Sequence, residues 1–314
     1  MSIKVKRILG CILTIMLIAV LTSAAGHLLD PAWTEGGFDA VKAFHSQEKN
    51  SLDVIIYGSS HAWKGCDTRV MYDEYGLQAY NYGCNWQNIN TTDLFLADSL
   101  RTQTPKVVCI ETVFVNGVLK DTDMDGQIYY TRVIPPFKEK IEYLKGCFGN
   151  DPKRWVSYYM PLVMFHDNWN TINAENFQFS EYQRFVETRG FNPGNSVNPI
   201  EITDYRKFPQ EELKEDSLEI LDDIVARCRE KNISIVFYVA PYGEPYRYIE
   251  AMSTYAEQNG CVFLNTFEYM DEIGIRADSD FQDVGHLNTE GSKKMARFLA
   301  EYIIENYDVP HTVK

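Results

Sequence analysis

Two short blocks of this chain hold residue types suited to nucleophilic catalysis. Gly58-Ser59-Ser60-His61 directly follows the apolar run Asp53-Val54-Ile55-Ile56-Tyr57. Asp283-Val284-Gly285-His286-Leu287-Asn288 precedes the last amphipathic stretch. A serine at a strand-to-helix corner exposes its hydroxyl, and the helix N-terminus offers N–H groups to a developing oxyanion. A carboxylate three residues before a histidine can orient the imidazole and stabilise its charge, so that the ring takes a proton from the serine. Singly, each block has an ordinary reading: serines that cap a helix, and a loop aspartate with a surface histidine. Together they are much more specific. Asp283 and His286 become partners for a serine of the first block.

Positioning those blocks requires a sheet. Besides Asp53–Tyr57, continuous apolar runs occur at Val107–Ile110, Ile233–Ala240 and Cys261–Leu264. Helical spacing joins Leu213, Leu218, Leu221, Ile224, Val225 and Cys228, and again Met295, Phe298, Leu299, Tyr302 and Ile303. Continuous apolar strands alternating with amphipathic helices indicate an α/β fold, a parallel sheet covered on both faces. Residues 120–200 break the rhythm. Rich in Tyr, Phe, Trp, Asn and Asp, they read as a partly helical insertion on the ligand side.

Lys4, Lys6 and Arg7 precede an uncharged stretch from Ile8 to Leu29. About 20 residues rising ~1.5 Å each cross a bilayer, so residues 1–29 read as a membrane anchor. The basic flank holds the N-terminus in the cytoplasm and puts everything after about residue 30 outside. The competing reading is a secreted protein whose signal peptide is cut near Ser23-Ala24-Ala25. Residues 30–50 form a connector to the domain at 51–314. Pro31, Trp33, Phe38, Val41 and Phe44 argue that it packs on that domain, since a solvated linker would lack them. Of seven cysteines, six follow the anchor. Cys109, Cys228 and Cys261 sit in buried-strand or helix-face contexts that favour free thiols, and no pair has metal-ligand spacing. A net charge of −14 argues against a nucleic-acid partner.

In its two chemical blocks the chain resembles the SGNH/GDSL hydrolase superfamily, over roughly residues 51–116 and 211–307. There a Gly-Asp-Ser block after the first strand carries the nucleophile, and a C-terminal Asp-x-x-His block completes the triad. The resemblance puts the nucleophile on Ser60, with Ser59 replacing the aspartate, and the other two roles on Asp283 and His286. It implies a flavodoxin-like three-layer fold with about five parallel strands and chemistry without a cofactor. The family's second block, Asn-x-Gly-x-x-Gly, reads here Asn81-Tyr82-Gly83-Cys84-Asn85-Trp86. It makes Gly83 and Asn85 candidates for oxyanion or substrate contacts, with Trp86 in place of the second glycine. The third block, Gly-x-Asn-Asp, has no clean match, only Glu111-Thr112 and then Asn116. Glu111 is a candidate partner of His61 or of a substrate hydroxyl, or else an ordinary strand-end carboxylate. His61 either tunes the site or is a surface histidine.

With its anchor and these departures, the chain looks more like envelope acyl-transfer proteins than like secreted lipases. Such proteins include those serving D-alanylation of teichoic acids and the SGNH partners of membrane-bound O-acyltransferases. The expected activity is that of an extracytoplasmic serine esterase or O-acyltransferase on a cell-envelope glycan or glycolipid. A membrane-bound O-acyltransferase is a further expected partner. The alternative is an anchored, non-catalytic protein that binds glycan or docks on such an acyltransferase. A hydrogen bond from Ser60 to His286, with Asp283 on the other ring nitrogen, discriminates in favour of catalysis. Lesser candidates are His166-Asp167 in the insertion and Tyr238, Tyr242 and Tyr246 near the third apolar run. For these, loop exposure and core packing are the ordinary readings.

Overall fold

The computed structural model describes residues 2–30, 37–117, 126–177 and 181–312. The helices and strands follow in chain order: α1 (Ile3–Leu29), α2 (Gly37–His45), β1 (Val54–Tyr57), α3 (Ser60–Trp63), α4 (Thr68–Tyr75), β2 (Ala79–Asn81), α5 (Ile89–Ser99) and β3 (Val107–Glu111). Next come α6 (Gly126–Tyr130), α7 (Lys138–Phe148), α8 (Pro152–Tyr159), α9 (Pro161–Phe165) and α10 (Tyr182–Glu187), all between β3 and β4. The chain then continues through α11 (Glu215–Glu230), β4 (Ser234–Val239), α12 (Ile249–Gln258), β5 (Val262–Asn265), α13 (Met270–Ile273), β6 (Phe281–Asp283), β7 (His286–Leu287) and α14 (Thr289–Asn306).

Strands β1 to β5 form one parallel sheet in the order β2-β1-β3-β4-β5. This is the doubly wound order whose ligands bind beyond the carboxyl ends of the strands. The β1 run is buried throughout, and its side chains alternate between two cores, as strand geometry requires. Ile55 and Tyr57 pack with Phe44, Phe95, Leu221 and Ile224 from α2, α5 and α11. Val54 and Ile56 pack with Met71, Met295, Leu299 and Ile303 from α4 and α14. Four of the strands lie where the apolar runs predict them. The fifth, β2, falls on none of those runs and ends at Asn81, the first residue of the second block.

The expected insertion is helical, and no strand occurs in its described residues. Its residues 120–125 and 178–180 lie outside the described residues. Phe165 and Tyr129 join the α2–α5 core, while Leu144, Cys147, Phe148 and Tyr158 build a small core of their own. The connector packs: α2 buries Phe38, Val41 and Phe44, whereas Pro31 and Trp33 lie outside the described residues.

Helix α1 is long and apolar enough to cross a membrane. Its last turn is held by the insertion. Asn176 Nδ2 donates to the Leu28 carbonyl (2.8 Å) and Asn168 Nδ2 to that of Leu29 (3.2 Å), satisfying end-of-helix carbonyls. Arg132 pairs with Asp30 just beyond. All seven cysteines are free: Cys11 is exposed, Cys261 half-buried, and Cys66, Cys84, Cys109, Cys147 and Cys228 are buried.

Candidate active site

Strand β1 ends at Gly58, whose φ of +139° favours glycine. A Cβ there would also stand 2.5 Å from Glu111 Cβ, because β1 and β3 run side by side with Tyr57 opposite Ile110. The chain turns at Ser59, whose Oγ caps α3 by accepting the His61 N–H (3.2 Å). Ser60 is the first residue of that helix. It is half-buried, at the carboxyl edge of the sheet.

The second block is a hairpin. Strands β6 and β7 are antiparallel and pair Asp283 with His286 across the Val284-Gly285 turn. The Asp-x-x-His spacing therefore sets carboxylate and imidazole opposite one another. Asp283 Oδ1 accepts from the Gly285 N–H (2.9 Å), and the Val284 carbonyl accepts from the Gly243 N–H (2.7 Å), which fixes the turn to the loop after β4.

These elements bring the three residues into one line. His286 Nε2 lies 2.7 Å from Ser60 Oγ, and His286 Nδ1 lies 2.8 Å from Asp283 Oδ1. Burial holds the His286 pKa below its ordinary value, and the Lys64 charge adds to this against the opposing pull of Asp283. The ring is thus neutral near pH 7 and can accept a proton. Partial burial raises Asp283, but His286, the Gly285 amide and Lys64 together outweigh it and hold the carboxyl below its ordinary range.

A second line runs behind the first. Glu111 Oε2 accepts from the Ser59 N–H (3.2 Å) and lies 2.8 Å from Ser59 Oγ, which lies 3.0 Å from His61 Nδ1. Glu111 Oε1 accepts from the Val113 N–H (2.5 Å). His61 is buried against Tyr242 (4.9 Å between ring centroids), His286 (5.2 Å) and Phe114 (6.1 Å), and its Nε2 makes no hydrogen bond within the protein. Burial and the neighbouring His286 push the His61 pKa down to about 3, so the ring is neutral. Burial pushes Glu111 up to about 7. As a carboxylic acid, Glu111 donates to Ser59 Oγ, the serine donates to His61 Nδ1, and Nε2 carries the hydrogen. As a carboxylate it reverses the chain, leaving Nε2 an acceptor.

Other candidates depart from expectation. The Gly83 N–H is not available to an oxyanion, because it donates to Asn81 Oδ1 (3.1 Å). Asn81 Nδ2 meanwhile donates to the carbonyls of Ala62 (2.8 Å) and Cys66 (3.0 Å). The Asn81 side chain thereby locks the second block to α3. Asn116 also falls outside the site: its Nδ2 donates to the Glu212 carbonyl and its Oδ1 accepts from the Lys214 N–H. Asn85 is half-buried in the second-block loop. Trp86, where the family pattern has glycine, adopts φ +58° and rests on Phe114 (5.4 Å), so the loop keeps a glycine-like turn with a tryptophan. Glu111 reaches His61 only through Ser59 and is too buried for a substrate hydroxyl. His166-Asp167 is an exposed pair, whereas Tyr238, Tyr242 and Tyr246 are buried core residues, Tyr242 packing on His61.

Sequence reasoning missed Ser59 as the bridge between Glu111 and His61. Its signal was the replacement of the family's aspartate by serine, legible only once the β1–β3 register is known. Among the described residues no cluster suits a metal ion. No family model matches the chain, and no curated protein matches it.

Proposed function

We propose that the chain is a membrane-anchored serine esterase or O-acyltransferase of the SGNH/GDSL type. Its substrate is an acyl ester of a cell-envelope glycan or glycolipid, processed outside the cytoplasm. The observation that carries this reading is the unbroken line Ser60–His286–Asp283, at 2.7 and 2.8 Å.

In the first step Ser60 Oγ attacks the ester carbonyl carbon while its proton passes to His286 Nε2. Asp283 steadies the imidazolium that forms. The tetrahedral intermediate collapses with loss of the alcohol, which takes the proton from His286 and leaves an acyl-Ser60 ester. A water or a sugar hydroxyl then gives its proton to His286 and attacks that ester, and the serine is restored with the same proton. The Ser60 N–H and the donor form of His61 Nε2 serve the oxyanion, His61 standing in for the family's third-block asparagine. Exposed Trp86 gives a sugar an aromatic edge. The membrane-bound O-acyltransferase stays a proposed partner, supported by the anchor alone.

The test is mass-spectrometric detection of a fluorophosphonate adduct on Ser60 in the full chain, absent in Ser60→Ala. Turnover of p-nitrophenyl acetate is the secondary readout. A wild-type Ser60 that takes no adduct would refute the enzymatic reading. It would favour the anchored binding protein, a reading that the engaged Gly83 amide and Asn116 side chain support.

A further inference from the structure

The free part of α1 is too short to cross a bilayer alone. The helix meets the insertion from Thr22: Thr22 and Ser23 line a cavity with Tyr159, Met160 and Leu162, Gly26 is buried against Pro161 and Leu162, and the last carbonyls are held by Asn168 and Asn176. The stretch that is both uncharged and free of the domain is Ile8–Leu21, 14 residues. At ~1.5 Å per residue it spans about 21 Å, against a hydrocarbon core of about 30 Å. Roughly the last two turns of the uncharged stretch must therefore lie at membrane depth, and the protein packed around them lies there too.

That protein carries the face expected of such a place. Between residues 156 and 177 the chain exposes Tyr159 (60%), Met160 (49%), Val163 (39%), Trp169 (71%) and Phe177 (57%). Apart from α1, no other described segment exposes as many large apolar side chains. Tryptophan and tyrosine favour the headgroup level, where an apolar ring and a polar edge are both satisfied. A cavity of about 430 Å³ lies at the same junction, between Thr22 and Ser23 of α1, Arg132, Tyr159 and Met160. Lys153 of α8 and Asp167, both exposed, and half-buried Arg154 are charges that must stay on the watery side.

We infer that helices α8 and α9, with the 3-10 turns His166–Thr171 and Ala174–Phe177, form a platform sunk in the outer leaflet beside α1, its occupant being the lipid surface itself. The inference rests on the anchor reading above and is independent of the chemistry at Ser60. The platform fixes the domain against the bilayer, because the same segment grips α1 and belongs to the fold.

The test uses the full chain in phosphatidylcholine–phosphatidylglycerol vesicles with acyl chains brominated near the headgroup or near the chain end. Trp169→Phe supplies the subtraction; Trp169 is largely exposed, so this exchange leaves the fold intact. The wild-type minus Trp169→Phe emission is expected to fall at least twofold with shallow bromines, and less with deep ones. A difference emission indifferent to bromine overturns the proposal and assigns this face to a protein partner, either a second copy or a polytopic membrane protein. A chain that fails to float with the vesicles overturns the anchor reading and the platform with it. Neither outcome touches adduct formation at Ser60.

Discussion

Glu111 reaches the Ser59–Ser60 corner by holding Ser59, the residue beside the proposed nucleophile, with its amide at 3.2 Å and its hydroxyl at 2.8 Å from one carboxyl oxygen. The strand-end carboxylate is thus part of the frame that aims Ser60. Its burial also makes it an electrostatic liability that grows with pH.

The first prediction follows from that. With the Glu111 pKa raised to about 7 in the folded chain, against 4.5 unfolded, its contribution to stability is fully present below pH 4.5 and is lost as pH rises through 7. The loss amounts to about 3 kcal/mol, taking ~1.4 kcal/mol per pH unit. Urea unfolding of Glu111→Gln and wild type between pH 4.5 and 8 should therefore give curves that converge or cross as pH rises. A constant gap would mean that Glu111 titrates normally.

The two protonation states of Glu111 also set the polarity of His61. In His61→Gln the amide nitrogen takes the place of Nε2 as donor, and p-nitrophenyl acetate hydrolysis should stay within about tenfold of wild type. His61→Leu should lose ~10²–10³-fold, as expected when one oxyanion donor is removed. Equal losses in both variants would show that His61 serves packing against Tyr242 and Phe114 alone.

Replacing Asp283 by Asn keeps the shape of the hairpin but turns the wrong tautomer of His286 toward Ser60. Fluorophosphonate labelling of Ser60 should slow by ~10²–10⁴-fold, with the melting temperature little changed. Labelling at the wild-type rate would remove Asp283 from the mechanism.

Because burial and Lys64 hold His286 below its ordinary pKa of 6.5, the base is free at neutral pH. The rate of adduct formation should fall on acidification with a midpoint below 6.5, and fall again as pH rises through about 7, where Glu111 ionises and His61 Nε2 stops being a donor. Lys64→Ala removes a cation that disfavours the imidazolium, so that midpoint should move up. A midpoint above 6.5 in wild type would contradict the burial argument.

How much of this was legible beforehand depended on the range of the interaction. Continuous apolar runs located β1, β3, β4 and β5, because a strand covered on both faces has no polar positions to hide it. β2 escaped, being three residues long and merged with the Asn81 block. The Asp283–His286 pairing was local and could be read from spacing, although its cause, a hairpin, could not. Gly83 and Asn116 are engaged for different reasons. Gly83 is held locally, by the side chain of Asn81 two residues before it, whereas Asn116 is held by the distant 212–214 backbone.

The separation of 226 residues between Ser60 and His286 has a consequence in time as well as in space. Emerging from its N-terminus, the chain can pair β1, β2 and β3 early, since these strands are neighbours in sequence as well as in the sheet. Adding β4 must close a loop across the whole insertion, a slower, entropy-limited event. Even then nothing reactive exists, because the hairpin that carries Asp283 and His286 is the penultimate piece of the fold. A chain broken off before Phe281 retains all five sheet strands and its serine yet lacks any base to activate it. On the proposed reading, Ser60 therefore stays inert until the carboxyl-terminal hairpin arrives.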